Sequence, residues 1–170
     1  KLLALSNVKF EVKIIKTEPN ENGIDSVQFL FSANPGQPLQ PFENIASGGE
    51  ISRFILAFKA NISTLDGPKI FIFDEIDSGV SGKVSKAVAK LLKDLSLQGQ
   101  VFCITHQPLV AAVADNHFSV RKFLKDGITT TEISHLNNPL QRQCELTELA
   151  GGEGKEAKRY AASLLDQQVA

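Results

Sequence analysis

The feature that most constrains the fold is an apolar run that stops at two adjacent carboxylates, Lys69-Ile-Phe-Ile-Phe-Asp-Glu75. Its apolar residues follow one another without alternation, which is typical of a parallel strand covered on both faces. In open α/β sheets, ligands bind just beyond the carboxyl ends of such strands. Asp74 and Glu75 therefore stand where a ligand is expected, and the pair suits phosphoryl transfer, with one acid holding Mg²⁺ and the other polarising the attacking water.

A strand, a helix and a second strand are predicted from this run onward. Residues 69–73 form the first strand, residues 83–97 have helical spacing, and residues 100–104 form another buried apolar run. A right-handed crossover makes the two strands parallel neighbours, which brings Glu75 and His106 to one edge of the sheet. The predicted fold class is therefore α/β, with parallel core strands flanked by helices.

The remaining segments are predicted to surround this unit. Residues 8–15 and 27–31 favour antiparallel edge strands around a turn at Asn22-Gly23, and the proline-rich segment 33–41 favours an extended surface connection. A helix is expected to begin just after Ser47-Gly48-Gly49 and to reach residue 65. Its apolar positions are Ile51, Phe54, Ile55, Phe58 and Ile62. The later segments are a short helix from Pro108, strands 117–122 and 128–135 joined at Asp126-Gly127, and helices 140–150 and 155–168.

Length and composition favour one α/β domain without a membrane segment. The 170 residues are 42% hydrophobic, and no apolar run is long enough to span a bilayer, so a cytoplasmic location is expected. The net charge of −1 provides no electrostatic argument for nucleic-acid binding. The chain has no Met and begins Lys-Leu-Leu-Ala-Leu, as though continuing a helix, so we interpret it as a fragment.

Three signals for phosphate chemistry occur in this frame. Ser47-Gly48-Gly49-Glu50 places a hydroxyl and open backbone N–H groups at a helix N-terminus, where anions bind. Asp74-Glu75 and His106 each follow a strand. Each signal alone has a structural explanation: a flexible N-cap, acids that cap a loop, or a hydrogen-bonded histidine. Their combination within one strand–helix–strand unit favours a nucleotide-hydrolysis site.

Other chemistries lack their motifs in this sequence. It contains no Gly-x-Ser-x-Gly elbow, no Cys/His spacing for zinc and no Gly-x-Gly-x-x-Gly fingerprint. It also lacks the Gly-x-x-x-x-Gly-Lys-Ser/Thr phosphate loop. The chain by itself is therefore not expected to hydrolyse ATP.

These motifs resemble the carboxy-terminal lobe of the ABC-type ATPase heads of the structural-maintenance-of-chromosomes (SMC) class. Ala46-Ser-Gly-Gly-Glu-Ile-Ser-Arg53 resembles the signature motif, residues 70–75 the Walker B strand, residues 76–81 the D-loop and residues 104–106 the switch-histidine segment. Segments 31–36, 74–82 and 104–115 further resemble an SMC-like branch that acts in bacterial double-strand break repair.

The resemblance implies a role for each matching residue. Asp74 would bind Mg²⁺, Glu75 would activate water, and His106 would contact the γ-phosphate or position that water. The signature residues Ser47, Gly48 and Gly49 would act on ATP held by a second head. The nucleotide-binding set implied by the resemblance also includes Glu50, Asp77 and Ser81. The sequence departs from the common pattern at Ser81, where many ABC proteins carry Asp, and at Ala46, where Leu is common.

The resemblance also implies the context of the chain. Residues 1–170 would form one carboxy-terminal lobe, residues 1–6 would end a coiled coil, and a Walker A lobe would precede them. The implied ligands and partners are ATP, Mg²⁺, DNA ends or single strands, a second head in a head-to-head homodimer, and the recombinase RecA, in the bacterial nucleoid. Two alternatives stay open at this point: a non-catalytic binding or scaffold module, and an ABC lobe of another SMC-like or transporter protein.

Overall fold

Three small sheets and five helices make up the described part of the chain. The computed structural model describes residues 3, 7–32, 36–44, 48–62, 69–74, 76–80 and 82–166, with the backbone alone at residues 48, 61, 62 and 69. The elements in chain order are β1 (Lys9–Asn20), β2 (Gly23–Ser32), β3 (Gln40–Pro41), a 3₁₀ turn (Phe42–Asn44), α1 (Gly48–Ile62), β4 (Lys69–Asp74), α2 (Lys83–Ser96), β5 (Gly99–Ile104), α3 (Pro108–Ala112), β6 (Phe118–Lys125), β7 (Ile128–His135), α4 (Pro139–Leu149) and α5 (Lys155–Asp166).

The central unit is the predicted parallel pair β4 and β5, connected through α2. Their register pairs Lys69 with Gly99 at one end and Asp74 with Ile104 at the other, so both strands end at the same edge. One face of this pair packs into the main core through Phe71 and Phe73. The α2 residues of that core are Val88, Ala89, Leu92 and Leu95, which recur at helical spacing. The strand–helix–strand prediction is confirmed.

The expectation that β4 is covered on both faces is wrong for this chain. Ile70 and Ile72 are 67% and 72% exposed, and Phe102 and Ile104 of β5 are also exposed on the same pair of strands. The described elements thus cover one side of the parallel pair and leave an apolar side open. The uninterrupted apolar run predicts cover on both faces of β4. It does not show that the described residues lack the element that would cover the second face.

Helix α1 buries two different sides. Phe54 and Phe58 pack with Phe10 of β1, and the ring centroids of Phe54 and Phe10 lie 4.9 Å apart. The other side carries Arg53 and Leu56, which are 6% and 0% exposed.

The predicted apolar set of α1 was therefore only partly right. Its members Ile55 and Phe58 are 40% and 44% exposed, whereas fully buried Leu56 was not in it. The helix also begins at Gly48, two residues before the predicted start at residue 50, so both signature glycines belong to its first turn.

The outer elements follow their turn chemistry. β1 and β2 pair antiparallel from Lys9–Ser32 to Asn20–Gly23, and both strands are longer than predicted. β6 and β7 form the predicted hairpin, with φ of 51° at Asp126 and 78° at Gly127, as a tight two-residue turn requires. A second small core joins α3, α4 and α5. Among the described helices, none combines the length and apolar character needed to cross a bilayer.

Candidate functional site

The shared edge of β4 and β5 brings two predicted site residues together. Asp74 is the last residue of β4, and His106 follows the paired residue Ile104 by two positions. Asp74 is exposed, and the His106 side chain is 62% exposed, so both are accessible to a ligand. The register thus places an acid and a histidine at the same carboxyl edge, whereas Glu75, the acid predicted to meet His106 there, lies outside the described residues.

A buried acid, Asp77, lies beneath this edge in the turn formed by residues 76–80. Its side chain is 0% exposed. One carboxylate oxygen, Oδ2, accepts a hydrogen bond from the Thr105 hydroxyl. The other, Oδ1, lies 3.9 Å from Nδ1 of His106 and has no hydrogen-bond partner among the described residues. Asp77 therefore contacts the histidine segment inside the protein.

A second connection joins the 76–80 turn to the histidine segment through Gln107. Its side-chain Nε2 donates a hydrogen bond of 3.2 Å to the Val80 carbonyl oxygen and lies 3.5 Å from Nε2 of His106. The Gln107 backbone N–H donates to the Thr105 hydroxyl at 3.0 Å. Contacts at Asp77 and at Val80 therefore connect the turn to the histidine segment.

Helix α1 contacts the same turn from its N-terminal half. The Arg53 guanidinium donates from Nη1 to the Ser78 carbonyl oxygen at 3.2 Å. Burial lowers the pKa of Arg53, and Glu50, one helical turn earlier, partly offsets this by raising it. The buried cation thus fixes α1 against the 76–80 turn.

Gly49 is required at this contact because the backbones approach so closely. A Cβ at this position would lie 2.9 Å from the Ser78 carbonyl oxygen and 3.1 Å from Nη1 of Arg53. Gly49, Arg53 and Leu56 are separated by four and three residues, so they share one face of α1. The second glycine of the signature segment is therefore explained by the close contact on this face, and not by the wide range of φ that glycine allows.

Burial and two nearby carboxylates act on the Cys103 thiol at this edge. Cys103, on β5, has its pKa raised to about 12, mainly by burial and further by the negative charges of Asp77 and Asp74. The thiol therefore stays neutral. Within the described residues, no group of three His, Cys, Asp or Glu side chains forms a metal cage.

Comparison with known proteins identifies the family. No protein-family model matches the chain. Among curated proteins, it is 44% identical over 186 aligned residues to the DNA repair protein RecN of Synechocystis sp., covering 100% of this chain and 32% of that protein. It is also 44% identical over 165 residues to the DNA repair protein RecN of Bacillus subtilis, covering 92% of this chain and 28% of that protein. The chain belongs to the RecN family.

The SMC-like fold is supported independently by structure. The Smc head domain of Pyrococcus yayanosii, solved with a coiled coil and joint, matches 98% of this chain and 27% of its own with a TM-score of 0.57 at 21% identity. The RecN resemblance and the head fold predicted from the motifs are both confirmed. The chain spans about 30% of the RecN relatives that it matches, so it represents one part of a RecN polypeptide.

The predicted RecN site residues fall into four groups. Asp74 and His106 share the exposed edge, and Gly48, Gly49 and Glu50 form the first turn of α1. Asp77, predicted among the nucleotide-binding residues, is placed inside the protein. The remaining predicted site residues, Ser47, Glu75 and Ser81, lie outside the described residues, as do residues 1, 2 and 4–6 of the predicted coiled-coil end.

Sequence reasoning missed three residues that organise the site: Arg53, Thr105 and Gln107. Only Arg53 left a signal, because it lies four residues after Gly49 and therefore on the same helical face. Thr105 and Gln107 flank the histidine in the sequence, but their partners are 25 or more residues away, and only the fold brings them together.

Proposed function

We propose that this chain is the carboxy-terminal ATPase lobe of a RecN protein that hydrolyses ATP during DNA double-strand break repair. The observation that carries this proposal is the exposed edge with Asp74 and His106, in a chain that is 44% identical over its full length to a protein named for DNA repair. Phosphoryl transfer depends on positioning and charge stabilisation, which is what an edge of fixed side chains provides.

The residues at the edge divide the work of hydrolysis. Asp74 would hold Mg²⁺, which would supply positive charge to neutralise the phosphate. Glu75 accepts the proton of the attacking water. His106, exposed above the carboxyl end of β5, contacts the γ-phosphate or orients that water. Exposure of Asp74 and His106 supports these assignments, since both side chains are accessible to a nucleotide.

The signature segment acts on a nucleotide held by a second protomer. Helix α1 is 15 residues long, so its N-terminus presents orphan N–H groups and the positive end of a dipole. Gly48 and Gly49 lie at that end, and together with Ser47 they complete an ATP site across a head-to-head homodimer. Glu50 belongs to the same first turn, and Ser81 is assigned to the same nucleotide site.

The phosphate loop for this site comes from another part of the RecN polypeptide. The chain contains no Gly-x-x-x-x-Gly-Lys-Ser/Thr motif, and its RecN relatives are about three times longer. The open side of the parallel pair, with Ile70 and Ile72 exposed, provides an apolar surface for that part to cover. The chain alone is therefore inactive, and ATP binding requires both parts.

DNA handling belongs to the assembled protein. The net charge of −1 gives this lobe no strong electrostatic attraction to nucleic acid. DNA ends or single strands, and RecA as a recombinase partner, are thus engaged through the full-length protein in the bacterial nucleoid. The contribution of this lobe is to time that engagement by ATP binding and hydrolysis.

ATP hydrolysis by reassembled parts tests the proposal. The chain is measured alone, mixed with or fused to the remainder of its RecN polypeptide, and again with Glu75→Gln, which keeps the shape of the side chain and removes the base. The matched control is Glu153→Gln, which makes the same change at an exposed loop residue. We expect activity only when both parts are present, loss of activity in Glu75→Gln, and little change in Glu153→Gln.

Two results would count against the proposal. Hydrolysis by the chain alone would show that it does not need a phosphate loop from elsewhere. Equal rates for Glu75→Gln and Glu153→Gln in the reassembled protein would show that Glu75 is not the base.

A further inference from the structure

The hydroxyl of Thr105 makes two hydrogen bonds. It accepts a hydrogen bond from the Gln107 backbone N–H at 3.0 Å and contacts Oδ2 of Asp77. A carboxylate only accepts, so the single hydroxyl proton of Thr105 must be donated to Asp77. This contact orients the buried carboxylate and leaves its second oxygen, Oδ1, facing Nδ1 of His106.

The imidazole of His106 is approached on its other nitrogen by a donor. Nε2 of Gln107 carries two protons, of which one is donated to the Val80 carbonyl and the other faces Nε2 of His106 at 3.5 Å. A neutral imidazole has one donor and one acceptor nitrogen. Nδ1 lies 3.9 Å from an acceptor oxygen, beyond hydrogen-bond distance, and Nε2 lies 3.5 Å from a donor nitrogen. Both neighbours favour the proton on Nδ1.

We propose that Asp77 is a positioning residue, which holds His106 with its proton on Nδ1 and its Nε2 unprotonated. Asp77 is 0% exposed, so it acts through His106 and does not touch the nucleotide itself. The arrangement follows a general pattern in which a buried carboxylate sets the tautomer and orientation of a working imidazole. The expected effect on catalysis rests on the proposed ATPase function, whereas the effect on His106 does not.

Substitution by asparagine gives a directional test. In Asp77→Asn, we expect the amide oxygen to face the Thr105 hydroxyl, because this orientation keeps the hydrogen bond that the hydroxyl donates. The amide N–H₂ then faces Nδ1 of His106, which becomes an acceptor. We therefore expect the proton of His106 to move to Nε2.

The tautomer is measured in the full-length RecN protein that contains this chain, without nucleotide and labelled with ¹⁵N in its histidines. The His106 signals are identified by their loss in His106→Gln. The matched control is Asp115→Asn, which removes the same charge at an exposed side chain that pairs with Lys93. We expect the Nδ1 and Nε2 shifts of His106 to exchange character in Asp77→Asn and to stay unchanged in Asp115→Asn. Unchanged His106 shifts in Asp77→Asn would overturn the proposal.

ATP hydrolysis by the same variants gives the second measurement. We expect Asp77→Asn to lower kcat by about 10- to 100-fold, as when a carboxylate that orients an imidazole is altered, with KM changed by less than about threefold. A rise in KM with kcat unchanged would instead make Asp77 a binding residue and overturn the proposal.

Thr105 keeps the proposal testable if Asp77→Asn does not fold. Thr105→Val removes the hydroxyl that orients Asp77 and should lower kcat, whereas Thr105→Ser keeps the hydroxyl and should restore most of it. Equal rates for these two variants would overturn the proposal. The two proposals can fail separately. If the wild-type protein has no ATPase activity but the His106 tautomer still depends on Asp77, the proposed function is refuted and the positioning of His106 is established.

Discussion

Replacing Leu56 by alanine should cost much more stability than the same change at Ile55, its neighbour on α1. Leu56 is 0% exposed and packs in the main core with Ile76 and Phe73. Ile55 is 40% exposed. The comparison tests whether α1 turns its Gly49, Arg53 and Leu56 face toward the 76–80 turn, on which the site geometry depends.

The expected magnitudes follow from burial. Leu56→Ala removes three buried carbons, or roughly 2.4 kcal/mol at about 0.8 kcal/mol each, and the cavity raises the cost to about 3–4 kcal/mol. Ile55→Ala removes as many carbons, but from a partly exposed side chain where solvent fills the gap, so its cost is roughly 1–1.5 kcal/mol. The two variants should therefore differ by about 2 kcal/mol.

Urea unfolding followed by far-UV circular dichroism measures both variants against the wild-type chain. For a chain of this size, each kcal/mol also moves Tm by about 2–4 °C, which provides an independent check. Equal costs, or a larger cost for Ile55→Ala, would refute the reasoning. Helix α1 would then be turned by about 100° from the orientation described, and Arg53 would not reach the Ser78 carbonyl.

Three further predictions follow from single contacts. Gly49→Ala should lower the free energy of unfolding by about 1–2 kcal/mol, because its Cβ would lie 2.9 Å from a backbone oxygen, whereas Gly154→Ala, with nothing within 4 Å, should cost less than about 1 kcal/mol in urea unfolding. Similar costs for the two would contradict this. Burial raises the pKa of the half-buried Cys103 thiol to about 12, so at pH 8 iodoacetamide should label exposed Cys144 much faster than Cys103 until urea unfolds the chain. Equal labelling of the two cysteines in the folded chain would contradict this. Arg142→Met should destabilise the chain by about 2–3 kcal/mol, because its guanidinium donates to the carbonyl oxygens of Ala112, the last residue of α3, and Ala114 at 3.0 and 2.8 Å. An unchanged urea midpoint would show that these bonds contribute nothing.

The strand–helix–strand unit could be predicted because its signals are local. An apolar run, a helical period and a second apolar run suffice to specify β4, α2 and β5, and their parallel order places Asp74 and His106 at one edge. The sequence also predicted the hairpin turn at Asp126 and Gly127, because Asp-Gly is a pair that adopts the positive φ such a turn requires.

The rest depends on contacts between distant segments. The apolar spacing of α1 selected Ile55 instead of Leu56, because a helix with two buried sides has no single apolar stripe. The apolar run of β4 predicted cover on both faces. Such a pattern shows that both faces are apolar, but it does not show which part of the polypeptide covers each face. Asp77 carried the same signal as any acid after a strand, and only its burial distinguishes it from a ligand-binding residue.

The most direct test of the central claim is whether the signature segment of one protomer serves the hydrolytic residues of another. Full-length RecN carrying Ser47→Arg and full-length RecN carrying Glu75→Gln are each expected to be inactive as homodimers. Mixed in equal amounts, they form heterodimers with one intact composite site, so the account predicts recovery of about one quarter of the wild-type ATPase rate. A double variant carrying both changes, mixed with wild type, should provide no such intact site in its heterodimers. No recovery when the two single variants are mixed and shown to form heterodimers would contradict the claim.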